Sequence, residues 1–133
     1  MEIREYQTYN EEEILSLYAS VGWTAYTDHP QVLRQGFAHS LLTLGAYEGE
    51  TLLGLVRAVG DGATIVFVQD LLVRPEHQRK GIGSALLQAI LDRHPQVRQI
   101  ELATDNTEKT KAFYRSMGFR EMGEIGCCGF MRA

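Results

Sequence analysis

Residues 73–87 read Val-Arg-Pro-Glu-His-Gln-Arg-Lys-Gly-Ile-Gly-Ser-Ala-Leu-Leu. An apolar run ends, a basic polar turn follows, and glycines open an amphipathic stretch. Gly81 and Gly83 carry no Cβ, so the main chain can approach an anion closely there. The free N–H groups of a first helical turn, with the partial positive charge of the helix dipole, favour a phosphate. Arg74, Arg79 and Lys80 stand beside Glu76, a local net charge of +2. The chemistry implied is a cradle for a phosphate or pyrophosphate. A purely structural turn is the competing reading, because Gly-x-Gly at a helix start is weak alone. The spacing is neither G-x-G-x-x-G after a first strand nor a Gly-Lys-Ser/Thr phosphate loop.

Two further side chains invite chemistry. Asp70 lies inside the apolar run Thr64–Val73. A carboxylate there is costly unless it is paired or its pKa rises. A raised pKa would suit a base that deprotonates an ammonium; pairing, for example with Arg57, is the structural alternative. Tyr114 follows Phe113 and on spacing alone reads as a core aromatic. Trp23 and Tyr26 form an aromatic wall for a cationic ligand or else pack onto a sheet. His39, His77 and His94 show no metal-ligand spacing, so no metal is expected. The only cysteines, Cys127 and Cys128, are adjacent. Adjacent cysteines rarely have the Cα separation of a relaxed disulfide, so a reduced pair with a structural role, as small hydrophobes, and a cytoplasmic location are expected.

The elements that must position these groups can be traced. Residues 2–7 suggest a short strand. Asn10 caps a helix over 11–20 with Glu13 at the capping-box position. Pro30 starts a second helix through Val32, Leu33 and Phe37. Residues 41–47 and 51–59 form a hairpin around Glu48-Gly49-Glu50, and 64–73 reads as a strand covered on both faces. Leu86, Leu87, Ile90 and Leu91 place a helix over 83–93. A strand over 97–103 and a helix over 106–117 follow, the latter with Ala112, Phe113 and Met117 inward and Gly118 closing it. The tail 120–132 suggests one or two short strands. A strand-helix-strand crossover from Val73 to Val97 predicts a parallel pair.

Gln78-Arg79-Lys80-Gly81-Ile82-Gly83 resembles the Q/R-x-x-G-x-G/A signature of the GNAT (Gcn5-related) N-acetyltransferases. Asn106 and Ala112-Phe113-Tyr114-Arg115-Ser116-Met117-Gly118-Phe119 resemble that family's second motif in loose form. The resemblance covers essentially the whole chain, 1–133, as a single domain. It implies an α+β, three-layer GNAT fold: a mixed, mostly antiparallel sheet of six to seven strands flanked by about four helices. It implies direct acetyl transfer from acetyl-CoA to a primary amine of a small molecule or peptide, with a non-catalytic acyl-CoA-binding module as the alternative. It assigns the pyrophosphate to the amides of Arg79, Gly81, Gly83 and Ser84, bordered by Gln78, Lys80 and Ile82. It assigns the pantetheine arm to Leu71, Leu72 and Val73, with the Leu71 or Leu72 N–H polarising the thioester carbonyl. Asn106 matches a residue on the pantetheine or acceptor side, and Tyr114 matches the general acid that protonates the leaving thiolate. Trp23 and Tyr26 fall where the family walls its acceptor pocket. Family members are often dimers, so a homodimer is an open expectation.

Composition bounds the partners. Of 133 residues, 13 are Lys or Arg and 17 are Asp or Glu, a net charge of −4, so nucleic acid is not an expected partner. No apolar run approaches the roughly 18 residues of a membrane span, and the charged start Met1–Glu5 predicts no secretory signal. Residues 1–30 hold six acids and one base, the rest eleven acids and twelve bases. That excess, with Glu11–Glu13 and Asp28, hints at a cationic acceptor.

Overall fold

A computed structural model describes residues 1–133, which fall into two compact units, Met1–Ala103 and Thr104–Ala133. The first unit begins with β1 (Glu2–Glu5), α1 (Glu11–Ser20), the short α2 (Thr24–Thr27) and α3 (Pro30–Ala38). It continues with β2 (Leu42–Glu48), β3 (Thr51–Gly60), β4 (Ile65–Val73), α4 (Ile82–Arg93) and β5 (Gln99–Leu102). The strands lie in sequence order in one five-stranded sheet. All neighbours are antiparallel except β4 and β5, which are parallel, as the crossover predicts.

Local chemistry explains the boundaries. Asn10 Oδ1 accepts from the Glu13 amide at 3.1 Å, and three glutamates occupy the first turn of α1, where the dipole favours negative charge. Pro30 sits at the first position of α3, where a missing N–H costs nothing. Gly49 adopts a left-handed φ of 59° in the β2–β3 hairpin. Asp61 holds the next turn: its carboxylate accepts from the amides of Ala63, Thr64 and Ile65 and from the Thr64 hydroxyl. Those donors depress the Asp61 pKa well below the usual carboxylate range.

The core forms where α1 meets the sheet: Ile14, Leu17 and Tyr18 pack with Leu33, Leu52, Leu55 and Leu72. Leu86, Leu87 and Ile90 of α4 lie outside that cluster, and α4 packs on β2, β3 and β4. Helices thus cover both faces of the sheet. The strand buried on both faces is β3, from Leu52 to Ala58, whereas β4 alternates and leaves Ile65, Phe67 and Leu71 half-exposed. The doubly covered strand is therefore the central one, flanked by β2 and β4.

The second unit holds α5 (Glu108–Ser116), capped by the Thr107 hydroxyl on the Thr110 amide, and a 3-10 turn at Met122–Ile125. Ala112, read as inward-facing, is exposed; Phe113, Tyr114 and Met117 are half-buried. The expected six to seven strands and four helices become five strands and five helices. The tail supplies no strand, because Gly123, Gly126 and Gly129 interrupt it and Gly126 is left-handed at φ 83°. The added helix is α2, too short to show a periodicity. Cys127 and Cys128 are free and exposed, so neither packs as a small hydrophobe.

Candidate functional site

The turn between β4 and α4 is built on two left-handed residues. Arg79 has φ 63°, unusual for a side chain with a Cβ, and Gly81 has φ 82° as the N-cap of α4. Such outliers are stored where surrounding structure over-determines them, and they cluster at functional sites. No protein group accepts from the amides of residues 79–84; the first bond of α4 is Ala85 N–H to Gly81 O at 3.0 Å. Consecutive unpartnered N–H groups in this conformation make an anion-binding concavity. Arg79 and Lys80 are exposed and form no ion pair, so their charges stay available to a ligand. Arg74, counted on sequence with the cradle, is committed elsewhere: Nε donates to Leu52 O at 2.9 Å and Nη1 to Ser16 Oγ at 3.2 Å. Gln78 Nε2 donates to Val73 O at 3.0 Å and ties the turn to the end of β4.

Beside this turn the sheet opens. β5 pairs with β4 only from Ile65↔Gln99 to Val68↔Leu102. From Gln69 to Val73, β4 keeps β3 on one side and has no strand on the other. Leu71, Leu72 and Val73 are thus on a free strand edge that leads into the anion-binding turn.

A β-bulge sets what stands at that opening. Arg57 pairs with Asp70, but its neighbour Ala58 pairs with Val68, which leaves Gln69 as the extra residue. Cross-strand partners share a face, and adjacent residues on a strand do not. Asp70 and Leu72 therefore face α1, whereas Val66 and Val68, of the same parity, face the other way. The bulge delivers Asp70 into a cage. Asp70 is 2% exposed. Its Oδ2 accepts from Arg57 Nε at 2.8 Å and from the Tyr18 hydroxyl at 2.9 Å; its Oδ1 accepts from the Tyr26 hydroxyl at 2.7 Å. Arg57 Nη1 continues to Ser40 Oγ at 3.1 Å, and Ser40 Oγ to Gly36 O at 2.7 Å. Arg57 is thus the partner that the sequence offered for Asp70.

The aromatic residues form one cluster, in which Tyr18 meets Trp23 and Tyr26 edge-on and Trp23 lies tilted to Tyr26. Tyr18 contacts Trp23 and Tyr26 at centroid distances of 5.9 and 5.2 Å, and Trp23 lies 6.2 Å from Tyr26. Trp23 and Tyr26 are both half-buried and pack against the α1 core. Gln69 Nε2 donates to Tyr26 Oη at 3.1 Å. Burial pushes the Tyr18 and Tyr26 phenols above their ordinary value, and the Asp70 carboxylate pushes the same way. Both phenols stay protonated near neutral pH. Tyr18 and Gln69 were not singled out on sequence. Tyr18 carries the helical spacing of a core residue, and it lies 52 positions from Asp70.

In the second unit, Tyr114 lies edge-on between Phe113 at 5.0 Å and Phe119 at 6.0 Å. Burial, then the Asp105 carboxylate, raises the Tyr114 pKa. Asn106 is exposed in the segment before α5. No group of three His, Cys, Asp or Glu side chains is placed to hold a metal, and no helix is long and apolar enough to cross a membrane.

Comparison with known proteins gives this arrangement its context. A GNAT-family acetyltransferase of Streptococcus pneumoniae TIGR4 superposes with a TM-score of 0.90 at 41% identity, covering 99% of this chain and 96% of that one. The ribosomal-protein-S18-alanine N-acetyltransferase of Escherichia coli shares the fold at a TM-score of 0.77 and 18% identity, over 90% and 77% of the two chains. The N-alpha-acetyltransferase RimI of Mycobacterium tuberculosis is 38% identical over 84 residues, 60% of this chain and 52% of that protein. The chain spans about half the length of the curated relatives it matches, 42% and 52% of the first two. The model of the acetyltransferase (GNAT) domain matches residues 38–121, a stretch that contains the free β4 edge, the left-handed turn and Tyr114. The chain belongs to the GNAT acetyltransferase family.

Proposed function

We propose that this protein transfers the acetyl group of acetyl-CoA directly to a primary amine. One observation carries the reading: an unpartnered run of amides, 79–84, continues from a free strand edge at Leu71–Val73. A long ligand with an amide-bearing arm and a pyrophosphate fits that order of groups. The arm pairs with β4 as an added strand, and the pyrophosphate meets the amides of Arg79, Gly81, Gly83 and Ser84. Gln78, Lys80 and Ile82 border it, and Asn106 contacts the pantetheine or acceptor side. Relatives named as N-acetyltransferases support an amine as acceptor.

In the proposed step the neutral amine attacks the thioester carbonyl carbon. A C–N bond forms, and the carbonyl oxygen takes negative charge beside the Leu71 or Leu72 N–H. The C–S bond then breaks, and the Tyr114 hydroxyl protonates the thiolate. The proton shed by the ammonium leaves to water. Asp70, already paired with Arg57, holds geometry in this scheme.

The test has two stages. CoA and acetyl-CoA are expected to raise the melting temperature and ATP to leave it unchanged; a chain that neither CoA species stabilises would not be an acyl-CoA protein. Thiol release is then followed with polyamines, amino-acid amides, arylalkylamines and N-terminal peptides. Binding without release from any amine would point to the sensing module. Tyr114→Phe is expected to lower kcat about 10²-fold with CoA affinity retained, the usual range for a general acid. Because its pKa is raised, the alkaline limb of the kcat profile should lie above the phenol value of about 10, and Phe should abolish it. An unchanged limb in Tyr114→Phe would remove this residue from the chemistry.

A further inference from the structure

We propose that the Tyr26 hydroxyl seats the nucleophile and admits only a group that donates a hydrogen bond to it. The inference rests on the acetyl-transfer reading and adds the residue that places the acceptor nitrogen. A phenol oxygen has one proton and two lone pairs. The proton is committed to Asp70 Oδ1 at 2.7 Å, and Asp70 is held in turn by Arg57 and Tyr18. Turning the hydroxyl away would strip a buried carboxylate of a donor, which is costly. Gln69 Nε2 occupies one lone pair at 3.1 Å. One lone pair is left, and it can only accept.

The position of this lone pair matters. Gln69 is the bulge residue, exposed at the point where β4 loses its second neighbour, and Leu71 follows two residues on. The ring is steered by an edge contact to Tyr18 and a tilted one to Trp23, so the oxygen has little freedom. Burial and the nearby carboxylate keep the phenol protonated, so it does not act as a base. A neutral amine attacking the carbonyl with its lone pair has an N–H to spare for Tyr26. A thiolate has none.

The experiment sets two small nucleophiles in competition. Acetyl-CoA is turned over with hydroxylamine, which is uncharged near neutral pH and needs no base to activate it, and with 2-mercaptoethanol. The ratio of acetohydroxamate to S-acetyl product is compared with the ratio in solution without protein. The wild-type protein is expected to enrich the hydroxamate about tenfold, the weight of one well-placed hydrogen bond. Tyr26→Phe is expected to return the ratio to the solution value while CoA affinity, measured by calorimetry, is retained. A purely structural role for Tyr26 would slow both products together and leave the ratio unmoved. The proposal is overturned if the wild-type ratio equals that in solution, a result that needs no variant to fold. It is also overturned if Tyr26→Phe keeps the enrichment. Failure to bind CoA at all would instead overturn the acetyl-transfer reading itself.

Discussion

Arg57→Ala is expected to lower the unfolding free energy by about 3–5 kcal/mol, because removing one partner strands the other charge in the interior. Asp70 is 2% exposed, and its remaining donors would be the two tyrosine hydroxyls alone. The loss extends beyond the pair. Arg57 also bonds Ser40 at the end of α3 and lies 5.3 Å from the Phe37 ring, so α3 loses a tether to β3. For a domain of this size the melting temperature should fall by about 10–20 °C. Ser40→Ala, which removes the two outer hydrogen bonds, from Arg57 Nη1 and to Gly36 O, and leaves the ion pair in place, should cost about 1–2 kcal/mol. The Arg57→Met, Asp70→Leu double variant should recover much of the loss, since a buried ion pair is no more stabilising than apolar residues that fill the same space. A double variant as unstable as Arg57→Ala would show that the cage acts through its hydrogen bonds rather than its charges.

Gly81→Asp is expected to weaken CoA binding by about 10–100-fold while lowering stability by only about 1 kcal/mol, the cost of placing a side chain at the left-handed φ of 82°. Gly81 caps α4, and nothing lies within 4 Å of where its Cβ would stand. Asp tolerates left-handed backbone better than most residues, and an acidic side chain at a helix N-terminus is favourable by roughly 0.3–1 kcal/mol. The same carboxylate stands where a phosphate would sit and repels it. Folding and binding should therefore respond differently, which calorimetric titration with CoA and a thermal melt of the same sample would show. Equal CoA affinity in Gly81→Asp and wild type would exclude the left-handed turn as the phosphate site.

What could be read from the residue order depended on the range of the interaction. Asn10 with Glu13, Pro30, the Gly49 and Asp61 turns, and the glycines at 81 and 83 act within a few positions, and the elements they bound appear close to where they were expected. The pairing of Asp70 with Arg57 was visible as one of two alternatives, since an apolar strand cannot leave a carboxylate alone. Its other donors were not visible: Tyr18 and Tyr26 lie 52 and 44 positions away, and only the packing of α1 and α2 brings them in. Nor does alternation along β4 reveal the bulge at Gln69, because residues 66, 68, 70 and 72 are all buried on either register. The tail was misread for a related reason. The tail 120–132 was read as one or two short strands, but a strand exists only by pairing, and glycine recurs there every third position from Gly123 to Gly129.

The free edge of β4 has a consequence for the protein outside catalysis. A strand with unsatisfied N–H and C=O groups is a template for any other extended chain. Between Gln69 and Val73 that template is kept short by the bulge at one end and by the Arg74-Pro75 corner at the other. A cosubstrate that pairs with this edge would then do for the empty protein what a chaperone does, masking a length of sheet through which two copies would stick. On this view the exposed length of β4 edge, and with it the tendency of two copies to pair, would depend on whether that edge is occupied.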